Sequence, residues 1–241
     1  MHRSYVLVVL ATAIAAWGCA TAPKTVKTDP YLIPKKEFRN TIKVIALANT
    51  EIVEGMPDPA PIQAKFDSLL AAGLQRLGYS VVQPQEYEAV WAKLAVGMGG
   101  FIDPDTGKRD EEKVTQAAFQ TVQALKADFQ IDAVMFPDIV VVEAPFSAGR
   151  AVWDGVDQKI QTAGAMSSVF YGSQGGMVAA LSLKLTVRGP DGTPVFVNSG
   201  GIEVLDTLEG KTFEPVPRQL LFTDNERIED AVKAALKPLK R

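Results

Sequence analysis

Apolar positions along this chain fall into two periods, and the switches between them mark its elements. Ile42–Ala48 is short, β-branched and largely apolar, the pattern of a strand covered on both faces. Glu51–Pro61 is proline-rich and acidic and reads as a loop. Ile62, Phe66, Leu69, Leu70, Gly73, Leu74 and Leu77 then recur at three and four, one apolar face of a helix that Gly78 closes. Tyr79–Val82 predicts a second strand, and Pro84 opens a further helix through Val90, Trp91 and Leu94. Strand, helix, strand at this spacing predicts a βαβ crossover and a parallel pair.

Gly97–Arg109 breaks the pattern with four glycines and a proline. Val114, Ala117, Ala118, Val122, Leu125 and Phe129 predict the next amphipathic helix. Ile131–Val142 is the most strand-like run, with Pro137 marking an edge or a bulge because it cannot donate to a ladder. Arg150–Ile160 suggests one further strand. Leu181, Leu183, Leu185 and Val187 alternate with Ser182, Lys184, Thr186 and Arg188, which predicts one buried and one wet face. Gly189–Gly192 is a turn, and Val195–Leu205 returns as the partner strand. Thr223–Glu226 reads as a capping box with Thr223 as N-cap, ahead of a closing helix on Ile228, Val232, Ala235, Leu236 and Leu239. The expected fold is a single α/β domain over residues 39–241. It has a mixed sheet, a βαβ N-terminal half, an antiparallel C-terminal hairpin and a closing helix.

The N-terminus follows another logic. Arg3 precedes a 12-residue apolar run, Tyr5–Ala16. As a helix that run rises about 18 Å, short of the roughly 30 Å of a bilayer core, so it fits a signal h-region rather than a span. Small residues at Ala11, Ala13, Ala15 and Ala16 would also serve a plain secretory cleavage site. Ala15–Ala20, however, resembles a bacterial lipobox, in which Cys19 is acylated and becomes the first residue. In such precursors a residue other than Asp after the Cys, here Ala20, implies sorting to the outer membrane. The reading is a lipoprotein signal peptide over 1–18 and a lipidated flexible tether over 19–38. In that tether Lys24, Lys27, Lys35 and Lys36 either touch anionic headgroups or simply keep the linker solvated.

Composition narrows the chemistry. His2 and Cys19 are the only His and Cys. A chain cleaved before Cys19 and acylated there has no histidine base, no free thiol and no Cys/His zinc site. The net charge of −3 offers no bulk attraction for nucleic acid, and no cofactor motif is present. Counting an EF-hand loop from Asp103 puts Lys108 and Val114 where Gly and Glu belong, so that stretch reads as a turn before an acidic helix start. Gly172–Gly176 lacks the lysine of a phosphate loop. Ser167, Ser168 and Ser182 have no Ser-x-x-Lys partner. Trp153 reads as core or as an interface anchor. Two glycine-rich loops, Gly97–Gly107 and Gly164–Gly176, carry apolar side chains that either contact a partner or fold back on the core. The candidate contact residues are Phe101, Tyr171 and Trp153.

The Val44 strand, the Gly78–Tyr79 strand entry, the Phe101–Gly107 break, the Asp132–Val134 strand, the Pro-Asp-Gly hairpin and the closing helix together resemble a group of proteobacterial lipoproteins. That group is distantly similar to the curli-secretion lipoprotein and its periplasmic relatives, and the resemblance implies an α/β fold. Pore formation is not carried over, because only one clear hairpin is present and its wet face bears Lys184 and Arg188. The functional expectation is a lipid-anchored, periplasm-facing protein of the outer membrane, an accessory or assembly factor without catalytic activity. Its partners would be the membrane, through acyl chains, and envelope proteins or a second copy. The alternatives are a small-molecule or glycan-fragment binding module, with a pocket at the carboxyl ends of the parallel strands, and a carboxylate- or Ser/Lys-based hydrolase.

Overall fold

A computed structural model describes residues 29–56, 58–160, 162–163, 175–209 and 212–240. Cys19, the leader, residues 19–28 and Tyr171 lie outside them. The elements run α1 (Lys35–Thr41), β1 (Val44–Leu47), α2 (Pro59–Arg76), β2 (Ser80–Val82), α3 (Pro84–Gly97), α4 (Glu111–Phe129), β3 (Ala133–Ser147), β4 (Arg150–Trp153), β5 (Val156–Lys159) and β6 (Thr162–Ala163). They continue with β7 (Gly175–Arg188), β8 (Pro194–Val204), β9 (Asp206–Glu209), β10 (Thr212–Pro215) and α5 (Asn225–Leu236).

Strand β1 lies between β2 and β3 and is parallel to both, so the βαβ unit forms as its spacing predicts. β3 then pairs antiparallel with β7 over 14 positions, from Val134↔Arg188 to Ser147↔Gly175, and β7 pairs with β8. The order β2-β1-β3-β7-β8 makes a mixed sheet, and β4 and β5 extend it from the far end of β3. Strands β10, β9 and β6 form a second, small sheet. At 15 residues β3 is about 50 Å long, far beyond the helices that cover its start.

Alternation along β1 and β3 sorts the core into layers. Ile45, Leu47, Ala133 and Met135 pack with Phe66, Leu70 and Leu74 of α2 and with Ile228, Val232 and Leu236 of α5. Ala46, Ala48 and Val134 face the other way, against Tyr87 of α3 and Val122 and Leu125 of α4. At the distal end a third cluster, including Ala144, Trp153, Ile160, Val178 and Val204, fills the space where the β4–β5 hairpin folds back. Two adjacent glycines let β8 be approached from both faces. A Cβ on Gly200 would lie 2.0 Å from the Ala231 carbonyl oxygen of α5, and one on Gly201 would lie 2.8 Å from Trp153 Nε1.

Several expectations are corrected. The tether does not reach Phe38: residues from Pro30 onward already pack into the folded body. Tyr31 and Phe38 are buried, Tyr31 meets both Phe38 and Phe196 edge-on, and Leu32 N–H donates to Val195 O while Val197 N–H donates to Pro30 O, closing the outer edge of β8. Residues 150–160 form a hairpin rather than one strand, because Asp154 and Gly155, at φ 39° and 83°, supply the tight turn. Ser182 is buried rather than wet. The helix cap falls one residue later than the capping box: Asp224 accepts from the N–H groups of Glu226 and Arg227, while Thr223 Oγ1 donates to Leu220 O. Pro137 behaves as its chemistry requires. Its edge of β3 faces the point where β1 has already ended at Leu47, so no ladder donor is lost.

Candidate functional site

Helices α3 and α4 cover the sheet face over β2, β1 and the start of β3, and leave the same face of β7 open. The step between them is a cleft of about 1310 Å³. Its floor is the wet row of β7, Lys184, Thr186 and Arg188, beside Asp138 of β3, which stands opposite Lys184 in the register. One wall is aromatic, made by Tyr87 and Trp91 of α3, Phe119 of α4 and Phe136 of β3. Phe119 is 56% exposed, because it leaves the buried stripe of α4 and points into the opening. Asn49, Thr50 and Glu51 form the rim, just past the carboxyl end of β1.

The rim is held rather than loose. Buried Asp67 of α2 accepts from Thr50 N–H at 2.8 Å and from Thr50 Oγ1 at 2.6 Å. Burial pushes the Asp67 carboxyl above the usual carboxylate range, and the two Thr50 bonds oppose that shift. Glu51 N–H donates to Pro137 O and Ile139 N–H donates to Glu51 O, tying the loop to β3. At the other end Gln123 Nε2 donates to Pro190 O, and Arg188 Nη1 to Gly192 O at 2.9 Å, which fix the β7–β8 turn against α4. Asp191 stabilises that turn from within. Its carboxylate accepts from the N–H and hydroxyl of Thr193, which holds its pKa below the ordinary value.

Tyr87 packs edge-on against Phe136, with ring centroids 6.1 Å apart. Burial pushes its phenol pKa up to about 12, with the negative charges of Glu88 and Glu51 adding to the shift, so it is a neutral hydroxyl under ordinary conditions. The cleft thus offers carboxylate acceptors at Glu51, Glu88 and Asp138, cationic donors at Lys184 and Arg188, and flat apolar faces between them. Such a lining suits a polar molecule with a ring, able to stack on one side and to exchange hydrogen bonds on the other.

The residues singled out by sequence do not gather here. Trp153 is buried, 4% exposed, and its Nε1 donates to Ser182 Oγ at 3.1 Å, so the core reading holds and it is no contact surface. Ser182 Oγ donates to Asp154 Oδ2 at 2.7 Å, and the serine thereby seats the indole. Phe101 is half-buried and packs on Trp91 with ring centroids 5.1 Å apart, which makes the loop fold back on the cleft's own wall. Asp103 Oδ1 accepts from the N–H groups of Asp105 and Thr106, the turn expected in place of a calcium loop. Among the described residues no three of His, Cys, Asp and Glu come together as metal ligands. The carboxyl end of β1 was legible as a site from the parallel strands; Phe119, off the apolar stripe of α4, is the clue to the rest. Compared with models of known protein families and with curated protein sequences, the chain matches none.

Proposed function

We propose that this chain is a lipid-anchored envelope protein, held at the outer membrane through Cys19 and facing the periplasm, whose work is binding rather than catalysis. The anchor rests on the apolar run Tyr5–Ala16 and the Cys that follows it. The binding role rests on the cleft, and its lining favours a glycan fragment or another small polar molecule carrying a ring. Aromatic faces at Trp91 and Phe119 would take the ring, and Lys184, Arg188 and Asp138 its polar groups.

Removal of the leader takes Trp17 away and leaves two indoles, Trp91 in the cleft and Trp153 in the core. Titration of the acylated protein with soluble oligosaccharides, neutral and carboxylate-bearing, should change the indole emission. Trp91→Phe should abolish the change, and Lys184→Ala should weaken binding by about ten- to a hundredfold, the worth of a hydrogen bond to a charged group. Unchanged emission with every saccharide would overturn the binding role, and a response undiminished in both Trp91→Phe and Lys184→Ala would overturn its placement in this cleft. The assembly-factor reading draws on a different feature. Val141, Val152 and Met177, on distal β3, β4 and β7, are each about half exposed. A silent titration together with dimers in sedimentation would favour that reading.

A further inference from the structure

The first and last described segments meet at one end of the fold, at the start of β1 and β3. Arg39 Nη2 donates to Lys240 O at 2.5 Å, and Tyr31 Oη donates to Pro238 O at 2.6 Å. Lys43 Nζ reaches back to Arg39 O, and Lys35 Nζ stands 5.4 Å from the Tyr31 ring centroid. Lys36 and Arg39 are one turn apart on α1, Lys43 follows just past its extended end at Ile42, and Lys237 and Lys240 sit at either end of one 3₁₀ turn. Six cations, Lys35, Lys36, Arg39, Lys43, Lys237 and Lys240, are therefore carried by the segments that meet at this end. Among the described residues none of them lies within 4.0 Å of a carboxylate oxygen. Asp29 and Glu37 are the acids on the same segment, and Asp132, which accepts from the N–H groups of Lys43 and Val44, is brought beside it by the fold, so the cations outnumber the acids there. A chain of net charge −3 thus carries a cationic base.

We infer that this base is a docking surface for an anionic lipid bilayer. The inference rests on the anchoring reading, which supplies its geometry. Asp29 follows Cys19 by ten positions, and ten Cα-to-Cα steps span at most about 35 Å however they are arranged. An acylated Cys19 therefore keeps the end of the fold bearing Asp29 within that distance of the headgroups. That end is the cationic one. Each lysine near an anionic surface strengthens attachment about fivefold, and the effect decays within a Debye length. The cations act as a second signal beside the acyl chains. They set which way up the protein stands, with β3 and β7 directed away from the surface.

Acetylation footprinting of the acylated protein tests this. The protein is reconstituted in vesicles of phosphatidylcholine alone and of phosphatidylcholine with phosphatidylglycerol, and lysine reactivity is read by mass spectrometry. Lys36, Lys237 and Lys240 should react at least fivefold more slowly on the anionic vesicles, and high salt should restore them. Lys159, paired through Arg150 with the distal end of β3, should not change. Equal reactivity on both vesicles, with the acyl mass present on Cys19, overturns the docking surface and leaves the anchor standing. Absence of the acyl mass overturns the anchor and the docking surface with it.

Discussion

Glu203 shows how one buried side chain holds a strained backbone. It is 7% exposed, and its Oε1 accepts the N–H of Phe222 at 2.7 Å. Phe222 has φ 59°, a left-handed conformation unfavourable for a bulky residue, and it packs edge-on against Phe66. Glu203→Ala would leave that N–H buried and unpaired, at a cost of about 1–3 kcal/mol in urea melts. Burial raises the Glu203 pKa, while the Phe222 bond and Arg227 pull it back. The folded chain therefore holds this proton more tightly than the unfolded chain. Stability falls as pH rises from the ordinary glutamate value through the raised one, and Asp67 adds a contribution of the same sign. Glu203→Gln keeps an acceptor and removes the titration. Its stability relative to wild type should therefore improve as pH rises above the ordinary glutamate value; a constant difference across that rise would show that Glu203 does not titrate there.

At the scale of elements, the closing helix begins at Asp224, whose carboxylate serves two backbone N–H groups and pairs with Arg227 Nε at 3.1 Å. Asp224→Ala should cost about 0.5–2 kcal/mol, and Thr223→Ala clearly less; the reverse order in thermal melts would return the cap to Thr223. The one-residue slip has a plain origin, since Thr and Asp both cap and the three-residue spacing to Glu226 favours Thr223. Periodicity made α2, α4 and the Leu183–Val187 stretch of β7 legible, because each buries one face there; around Ser182 both faces of β7 are buried and the alternation misleads. The β4–β5 hairpin was missed although Asp154-Gly155 is a strong turn signal, since short flanks hide the alternation. The cleft was legible only at its rim. Its volume arises from which half of a sheet face α3 and α4 leave uncovered, and local pattern does not encode that.

For the whole molecule, the N-terminal segment matters more than its composition suggests. Three prolines and four lysines between Ala20 and Phe38 look like solvated linker, yet Phe38 is fully buried against Tyr31 and Phe196. Phe38→Ala should cost about 3–5 kcal/mol in urea melts of the full chain, where a residue in a free tether would cost nothing measurable. The closure of the β8 edge by residues 30–32 has a mechanical consequence. Tension applied to the chain ahead of Asp29 would be borne first by two hydrogen bonds, Leu32 to Val195 and Val197 to Pro30, and by the ring of Tyr31 wedged beneath them. Peeling that short clasp would bare the edge of β8 while α5 still covers its face, so a pull on the N-terminus would uncover a strand ready to pair before it unfolded the domain.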